Sequence, residues 1–255
     1  MGRICGCAWV ALALLAAARL SPGAPGAEEQ KFFVEFEAGP AWQARNDVRI
    51  PNSDAGTKFS LRDLQGTGPF AAPRVTIFVK LAPKHEIGFL AAPLSIKAAG
   101  SLDRPVEFAG ASFPEGPGVE AVYRFNSYRA TYRYRVWQGE RWTWKLGVTG
   151  KIRDARIELR SGDTVAVDDN LGFVPLVHLD GVCRLGERWR LDVNADGLGA
   201  PQGRAIDLAL EARYEFSPNW SASAGYRMLE GGADVDKVYT FAWVHYAVAG
   251  IRFGF

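Results

Sequence analysis

The stretch YRATYRYRV, residues 128–136, decides the fold, because apolar and polar residues alternate along it without a break. In an extended chain, Tyr128 and Tyr132 fall on one side, and Arg129 and Arg133 fall on the other. A period of two over nine residues is typical of a β-strand, whereas a helix would repeat every three to four residues. The stretch therefore predicts a strand with one apolar and one cationic face.

The same alternation recurs along the chain, and no segment has the periodicity of an amphipathic helix. Ten segments of roughly ten residues carry it. They are residues 32–41, 74–81, 87–96, 128–136, 142–152, 173–183, 189–195, 206–216, 220–228 and 239–255. The sequence therefore predicts an all-β protein of about ten strands.

The connections between these segments alternate in length. Four are tight turns at residues 82–85, 138–141, 185–188 and 217–219, and five are longer stretches at about 43–73, 98–118, 160–171, 197–204 and 229–238. Short turns at one end and long loops at the other are typical of a transmembrane, antiparallel, up-and-down β-barrel. Eight or twelve strands remain alternatives, since residues 106–113 could form a separate hairpin.

Two further features favour a membrane barrel over a water-soluble one. The polar faces are too densely charged for a dry core, so we expect them to line a lumen and the apolar faces to meet lipid. The mature tryptophans lie near strand ends, as in the aromatic girdles of membrane barrels. These are Trp42, Trp137, Trp142, Trp144, Trp189, Trp220 and Trp243.

The N-terminus resembles a secretory signal peptide, with Arg3 before an apolar run and small residues after it. We assign residues 1–27 to the signal, with cleavage between 18 and 27, and residues 28–255 to one barrel domain. The signal contains two arginines and no acid, which leaves 28 basic and 28 acidic residues in the exported chain. This neutrality gives no electrostatic case for binding nucleic acid.

The last residues, AVAGIRFGF, alternate and end in Phe255. They resemble the C-terminal assembly signal of single-chain outer-membrane β-barrels of Gram-negative bacteria. The chain is similar in size to the OmpA-type membrane domain, which has eight strands, and to the omptins, which have ten. This resemblance implies the outer membrane as location, outer-membrane lipid as surroundings, and the barrel-assembly machinery as a partner.

Catalytic motifs are scarce in the exported sequence, which lacks a phosphate-binding glycine loop, a zinc-protease motif and a nucleophile elbow. We therefore predict no cofactor and no metal. His178 and Asp180 share the lumenal face of one strand, and omptins use an Asp/His pair, so a hydrolase or protease is one hypothesis. A lumenal hydrogen-bond network is the interpretation we favour for this pair.

Lumenal charges form the other candidate site. Adjacent basic rows comprise Arg129, Arg133, Arg135, Lys145, Lys151 and Arg153, and acids on other strands include Glu35, Glu37, Asp192, Asp207 and Glu211. Since a ten-stranded barrel is narrow, these charges predict a plugged interior crossed by salt bridges. The alternative is an anion-selective constriction.

The loop at 43–73 holds Asp47, Asn52, Asp54 and Asp63, which could bind a saccharide, calcium or a partner, although such loops are usually solvated. His245 falls on the lipid side by parity, and we expect a bulge to turn it inward. The predicted function is a structural barrel, a narrow pore or a surface-binding protein. A carrier for small apolar molecules is a further alternative.

Overall fold

The computed structural model describes residues 30–255, so the predicted signal peptide lies outside the described residues. Sixteen strands and one short helix follow each other along this part of the chain. The strands are β1 (Phe32–Ala38), β2 (Pro40–Arg49), β3 (Phe59–Ser60), β4 (Phe70–Ala71), β5 (Arg74–Ala82), β6 (His85–Ala92), β7 (Ser95–Leu102), β8 (Val106–Phe108), β9 (Ala111–Phe113), β10 (Gly116–Gln138), β11 (Trp142–Ser161), β12 (Thr164–Arg184), β13 (Trp189–Ala200), β14 (Gly203–Glu215), β15 (Trp220–Val235) and β16 (Val238–Gly254); the helix is α1 (Leu61–Gln65).

The wall is a closed antiparallel ring of ten strands, which confirms the predicted number. Strands β1, β5, β6 and β10–β16 pair in this order, and β1 pairs with β16 to close the ring. Strand β2 continues β1 after a break at Gly39, and β7 continues β6, so each of these pairs counts as one wall strand. In the described part of the chain, no helix is long and apolar enough to cross a bilayer.

The faces of the wall follow the alternation of the sequence. On β10, Tyr128 and Tyr132 are exposed on the outer surface, whereas Arg129 and Arg133 are buried in the lumen. Five of the predicted girdle tryptophans are exposed: Trp42, Trp137, Trp189, Trp220 and Trp243. Trp142 and Trp144 stack on each other with ring centroids 5.0 Å apart. The outer surface thus presents an apolar band, as lipid requires.

Three of the predicted long loops are wrong, because strands replace them and make the wall uneven in height. Residues 160–171, 197–204 and 229–238 form the tips of hairpins whose strands run almost to the turn. Strands β10, β11 and β12 are 20 to 23 residues long, against 12 and 13 for β13 and β14. Together with β7, they continue past the neighbouring β13 and β14 as a four-stranded projecting sheet.

Polarity inverts along the projecting sheet. Near the turns, β11 points Leu146 outward and Lys145 inward, but farther along it points Arg156 outward and Ile157 inward. The phase of the alternation is unchanged, while the surroundings of the outer face change from lipid to water. The sequence prediction therefore ended this strand at residue 152 and placed a polar loop at 160–171.

The predicted loop at 43–73 is not a solvated loop. Strand β2 extends to Arg49, and the rest folds between β2 and β7 as β3, α1 and β4. Helix α1 is capped by Ser60, whose Oγ accepts from the Asp63 N–H at 3.2 Å, and it buries Leu61 and Leu64. This short helix escaped the periodicity analysis because five residues are too few for a pattern.

A second segment packs with β3, α1 and β4, and together these elements form a plug in the outer half of the lumen. Residues 106–113 form the hairpin β8–β9, which is a separate sheet and adds no wall strand. Its Phe108 and Phe113 are fully buried, and the Phe108 ring meets that of Phe59 edge-on at 5.8 Å. Burying each phenylalanine contributes about 1.5–3 kcal/mol. The outer half of the lumen is therefore a packed apolar core, where the sequence predicted charge.

His245 faces the outer surface, so the expected inward bulge is wrong. Its Nδ1 hydrogen-bonds the hydroxyl of the exposed Tyr226, and its ring lies 5.2 Å from that of Trp243. The register between β15 and β16 is continuous here, and the irregularity opposite Trp243 lies in the pairing with β2. The flanking Val244 and Tyr246 point into the core.

Candidate functional site

The inner half of the lumen holds a cavity of about 610 Å³. Its lining runs from the short turns, including Arg141 and Arg188, up to Arg129 and Asp196 below the plug. Small inward residues, among them Thr76, Thr131 and Asn194, leave this space in the middle of the barrel. The cavity, hereafter the vestibule, thus opens on the short-turn side and is closed toward the plug.

A layer of ion pairs forms the ceiling of the vestibule. Asp207 accepts from Arg129 at 2.5 Å and from Arg227 at 2.8 Å, and Arg74 lies 3.6 Å away. Arg129 also donates to Asp196 at 2.7 Å, and Arg227 donates to Glu37 at 3.1 Å. These groups come from six different wall strands, so the layer ties opposite sides of the barrel together.

Two lower clusters flank the vestibule. In one, Arg133 Nε donates to Glu86 at 2.6 Å and Arg133 Nη1 donates to Asp180 at 3.0 Å, while Lys145 lies 3.0 Å from Glu86. In the other, Arg213 donates to Glu35 and, at 2.6 Å, to Asp192; Arg252 reaches Glu35 at 2.6 Å, and Arg190 reaches Glu215 at 2.7 Å. Each cluster contains as many acids as bases.

The predicted basic rows are therefore distributed among acids rather than left as a cationic strip. Arg129, Arg133 and Lys145 form the pairs described above. Lys151 is buried above the ceiling, with Nζ 4.7 Å from the ring centre of Phe125. Arg135 donates to the carbonyl of Pro83 at the turn end, and Arg153 donates to Asn170 near the outer end.

The predicted acids also lie where parity placed them, on the lumenal face. Glu35 and Asp192 share Arg213, and Glu37 and Asp207 share Arg227. Glu211 Oε1 lies 3.5 Å from Arg227. The partners Arg74, Glu86, Arg190, Arg213, Arg227 and Arg252 were not singled out from the sequence. Their strand parity was a usable signal, since each alternates with apolar outward neighbours.

His178 and Asp180 both face the lumen, but they have different partners. His178 Nδ1 is 2.9 Å from Asp196 Oδ1, because the register places Asp196 directly opposite on β13. Asp180 is held by Arg133 and Lys145. His178 Nε2 is buried with no hydrogen-bond partner among the described residues. The arrangement is a fixed imidazole in a charged network, without a hydroxyl or thiol nucleophile bonded to it.

The acidic residues of the 43–73 segment do not converge. Asp47 pairs with Arg45 at 2.6 Å, Asn52 donates to Asp234 at 2.9 Å, and Asp54 and Asp63 are exposed. Within residues 30–255, no group of three or more His, Cys, Asp or Glu is placed to hold a metal ion.

The outer end offers a different kind of surface. Strand β12 pairs with β11 along its whole length, but β13 pairs with it only from Val177 onward. In the described part of the chain, residues 164–176 therefore have no strand hydrogen-bonded along their second edge, although β9 of the plug contacts β12. Unpaired strand edges are templates for the addition of another strand.

Charges on the outer face of the projecting sheet are paired along it. Arg156 donates to Glu158 at 2.8 Å and to Asp169 at 3.0 Å, and Arg124 donates to Asp154 at 2.9 Å. The hydrogen bond from Arg156 lowers the pKa of Glu158 below its ordinary value. Burial, reinforced by the charge of Asp169, raises the pKa of Asp168.

Comparison with known proteins identifies the fold. The outer membrane protease OmpT from Escherichia coli matches with a TM-score of 0.50 and 12% identity, over 91% of this chain and 99% of that one. This chain has the fold of a bacterial outer-membrane β-barrel. At 12% identity, the likeness to OmpT supports the same fold but implies no shared activity.

Weaker likenesses include the translocator domain of the autotransporter NalP from Neisseria meningitidis, with a TM-score of 0.41, 13% identity and coverage of 92% of this chain and 91% of that one. Neisserial surface protein A matches with a TM-score of 0.39 and 13% identity, over 88% of this chain and 97% of that one. No protein-family model matches the chain, and no curated protein sequence matches it.

Proposed function

We propose that this protein is a non-conducting outer-membrane barrel that binds a partner outside the cell through its projecting sheet. The observation that carries this proposal is the open edge of β12 at residues 164–176. An extended segment of a partner would add to this edge by main-chain hydrogen bonds. The exposed apolar side chains of Val165, Val167 and Leu171 on the same strand would supply side-chain contacts.

The proposal includes a location and an orientation. The chain would be exported by its signal peptide, inserted by the barrel-assembly machinery and surrounded by outer-membrane lipid. The short turns would face the periplasm and the projecting sheet the exterior, as is usual for such barrels. A heat-dependent shift in gel mobility and recovery in the outer-membrane fraction of a Gram-negative host test this location.

A pore is less well supported, because the plug fills the outer half of the lumen with side chains such as Phe108 and Phe113. The same packing argues against a carrier for apolar molecules. The hydrolase hypothesis is less well supported, because His178 bonds to Asp196 and not to Asp180, and Asp196 is also bound by Arg129 and Thr149. In planar bilayers, we expect the wild-type protein to show no steady conductance; a stable open level would contradict a closed barrel.

The binding surface is tested with a random-peptide library selected against the folded barrel in lipid nanodiscs. We expect enriched peptides to bind the wild type and to lose binding when Val165→Lys and Val167→Lys are combined, because edge lysines oppose strand addition. The control is Val122→Lys on β10, within the same sheet and away from the edge. Equal binding to both variants, or no enrichment, would refute the proposed surface.

A further inference from the structure

The vestibule has the dimensions of a ligand site. Its volume of about 610 Å³ lies in the range of roughly 300–1,000 Å³ typical of small-molecule pockets. Deeper than the turns, its lining contains eight acidic and eight basic side chains, so the interior is balanced in charge. These are Glu35, Glu37, Glu86, Asp180, Asp192, Asp196, Glu211 and Glu215, with Arg74, Arg129, Arg133, Lys145, Arg190, Arg213, Arg227 and Arg252.

The mouth of the vestibule is not balanced. Six basic side chains line it, against two acids on the turns, Glu140 and Glu187. Of the acids counted above, Glu86 lies opposite Lys80 in the register and Glu215 lies beside Arg188, so the mouth has six basic side chains and four acids. The basic residues are Lys31, Lys80, Arg135, Arg141, Arg184 and Arg188. All of them line the cavity rather than the lipid side of the wall, so their field is directed into the vestibule. A cleft with one sign of charge and low-dielectric walls concentrates ions of the opposite sign.

Buried donors inside the vestibule lack hydrogen-bond partners. Arg213 is 2% exposed and lines the cavity, and its Nη1 has no hydrogen-bond partner among the described residues. Nε of Arg190 also lacks a well-aligned hydrogen bond, although it lies 3.2 Å from Asp192 Oδ1. Within the described residues, the unpartnered acceptors of the lining are Asp180 Oδ1, Asp192 Oδ1 and Glu211 Oε2. An acceptor that enters the vestibule can take the hydrogen bond that Arg213 Nη1 does not make within the described residues.

We propose that the vestibule binds a small organic or inorganic polyanion with carboxylate or phosphate groups, which enters between the short turns. The basic mouth attracts the anion, and Arg213 Nη1, which has no hydrogen-bond partner among the described residues, donates to its oxygens. Entry of the ligand from the periplasm rests on the orientation proposed above. Binding of the ligand does not depend on that orientation.

The test is calorimetric titration of the detergent-folded protein at low salt, with citrate and with pyrophosphate in separate runs. We expect saturable binding of at least one anion at one site, and the two runs separate carboxylate from phosphate recognition. Arg141→Glu should weaken this binding about tenfold, since it replaces an attraction at the mouth with a repulsion. Raising the ionic strength should weaken it as well.

Lys84→Glu is the matched control. Lys84 is equally exposed on a short turn, and the substitution makes the same change in net charge, but Lys84 does not line the vestibule. We expect it to change the affinity less than about twofold, because the charge lies outside the mouth. Gel mobility before and after heating verifies that both variants are folded. Absence of binding to the wild type, or equal weakening by both variants, would overturn the proposal and leave the outer binding surface unaffected.

Discussion

Asp207→Asn should be the most damaging conservative substitution in the lumen. Asp207 is 2% exposed and faces three arginines, with Arg129 at 2.5 Å, Arg227 at 2.8 Å and Arg74 at 3.6 Å. Removing one partner of a buried ion pair costs about 3–5 kcal/mol. The amide oxygen of asparagine still accepts one of the two hydrogen bonds, so we expect the lower end, about 3 kcal/mol.

The assay is urea unfolding of the barrel in phospholipid vesicles, followed by tryptophan fluorescence. Asp54→Asn is the control, because Asp54 is fully exposed where it pairs with Arg49 at 3.4 Å, and we expect no measurable change. Adding Arg74→Met to Asp207→Asn removes the surplus positive charge and should recover part of the loss. A loss below about 1 kcal/mol for Asp207→Asn would mean that water solvates the ceiling layer and would refute this reasoning.

Two further predictions concern the wall. Gly39→Val should strongly reduce folding yield, since a Cβ at Gly39 would collide with the carbonyl oxygen of Ala247 where β1 passes into β2; normal yield in vesicle refolding would contradict this. A fluorophore on His245→Cys should be quenched by brominated lipid, and one on Val244→Cys should not, because His245 packs with Tyr226 on the outer surface while Val244 is buried; the reverse order would place His245 in the lumen.

The ring of ten strands could be predicted because lipid and lumen differ sharply along each strand. Tyr128 and Arg129 are neighbours in sequence and lie on opposite faces of the wall, as the alternation of apolar and polar residues predicts. The same logic failed beyond the membrane, where Arg156 faces water and Ile157 faces the plug. There the alternation persists, but a rule that equates apolar with outward mistakes a strand for a loop.

The partners within the lumen could not be predicted, because they depend on register and on distances across the barrel. Sequence proximity suggested Asp180 as the partner of His178, whereas the pairing of β12 with β13 supplies Asp196. Arg213 and Glu35 are 178 residues apart in sequence and meet only when the ring closes. Parity gives the face of a residue but not its partner.

The plug elements share their stretch of the chain with the wall strands β5 to β7, but not with the last six wall strands. All plug elements lie between Phe59 and Phe113, whereas the chain from Trp142 to Gly254 is an uninterrupted meander of six wall strands. Sequence changes in the first stretch can therefore alter how the outer end is sealed without disturbing the pairing of the last six strands. The seal of the barrel can thus be varied independently of more than half of its cylinder.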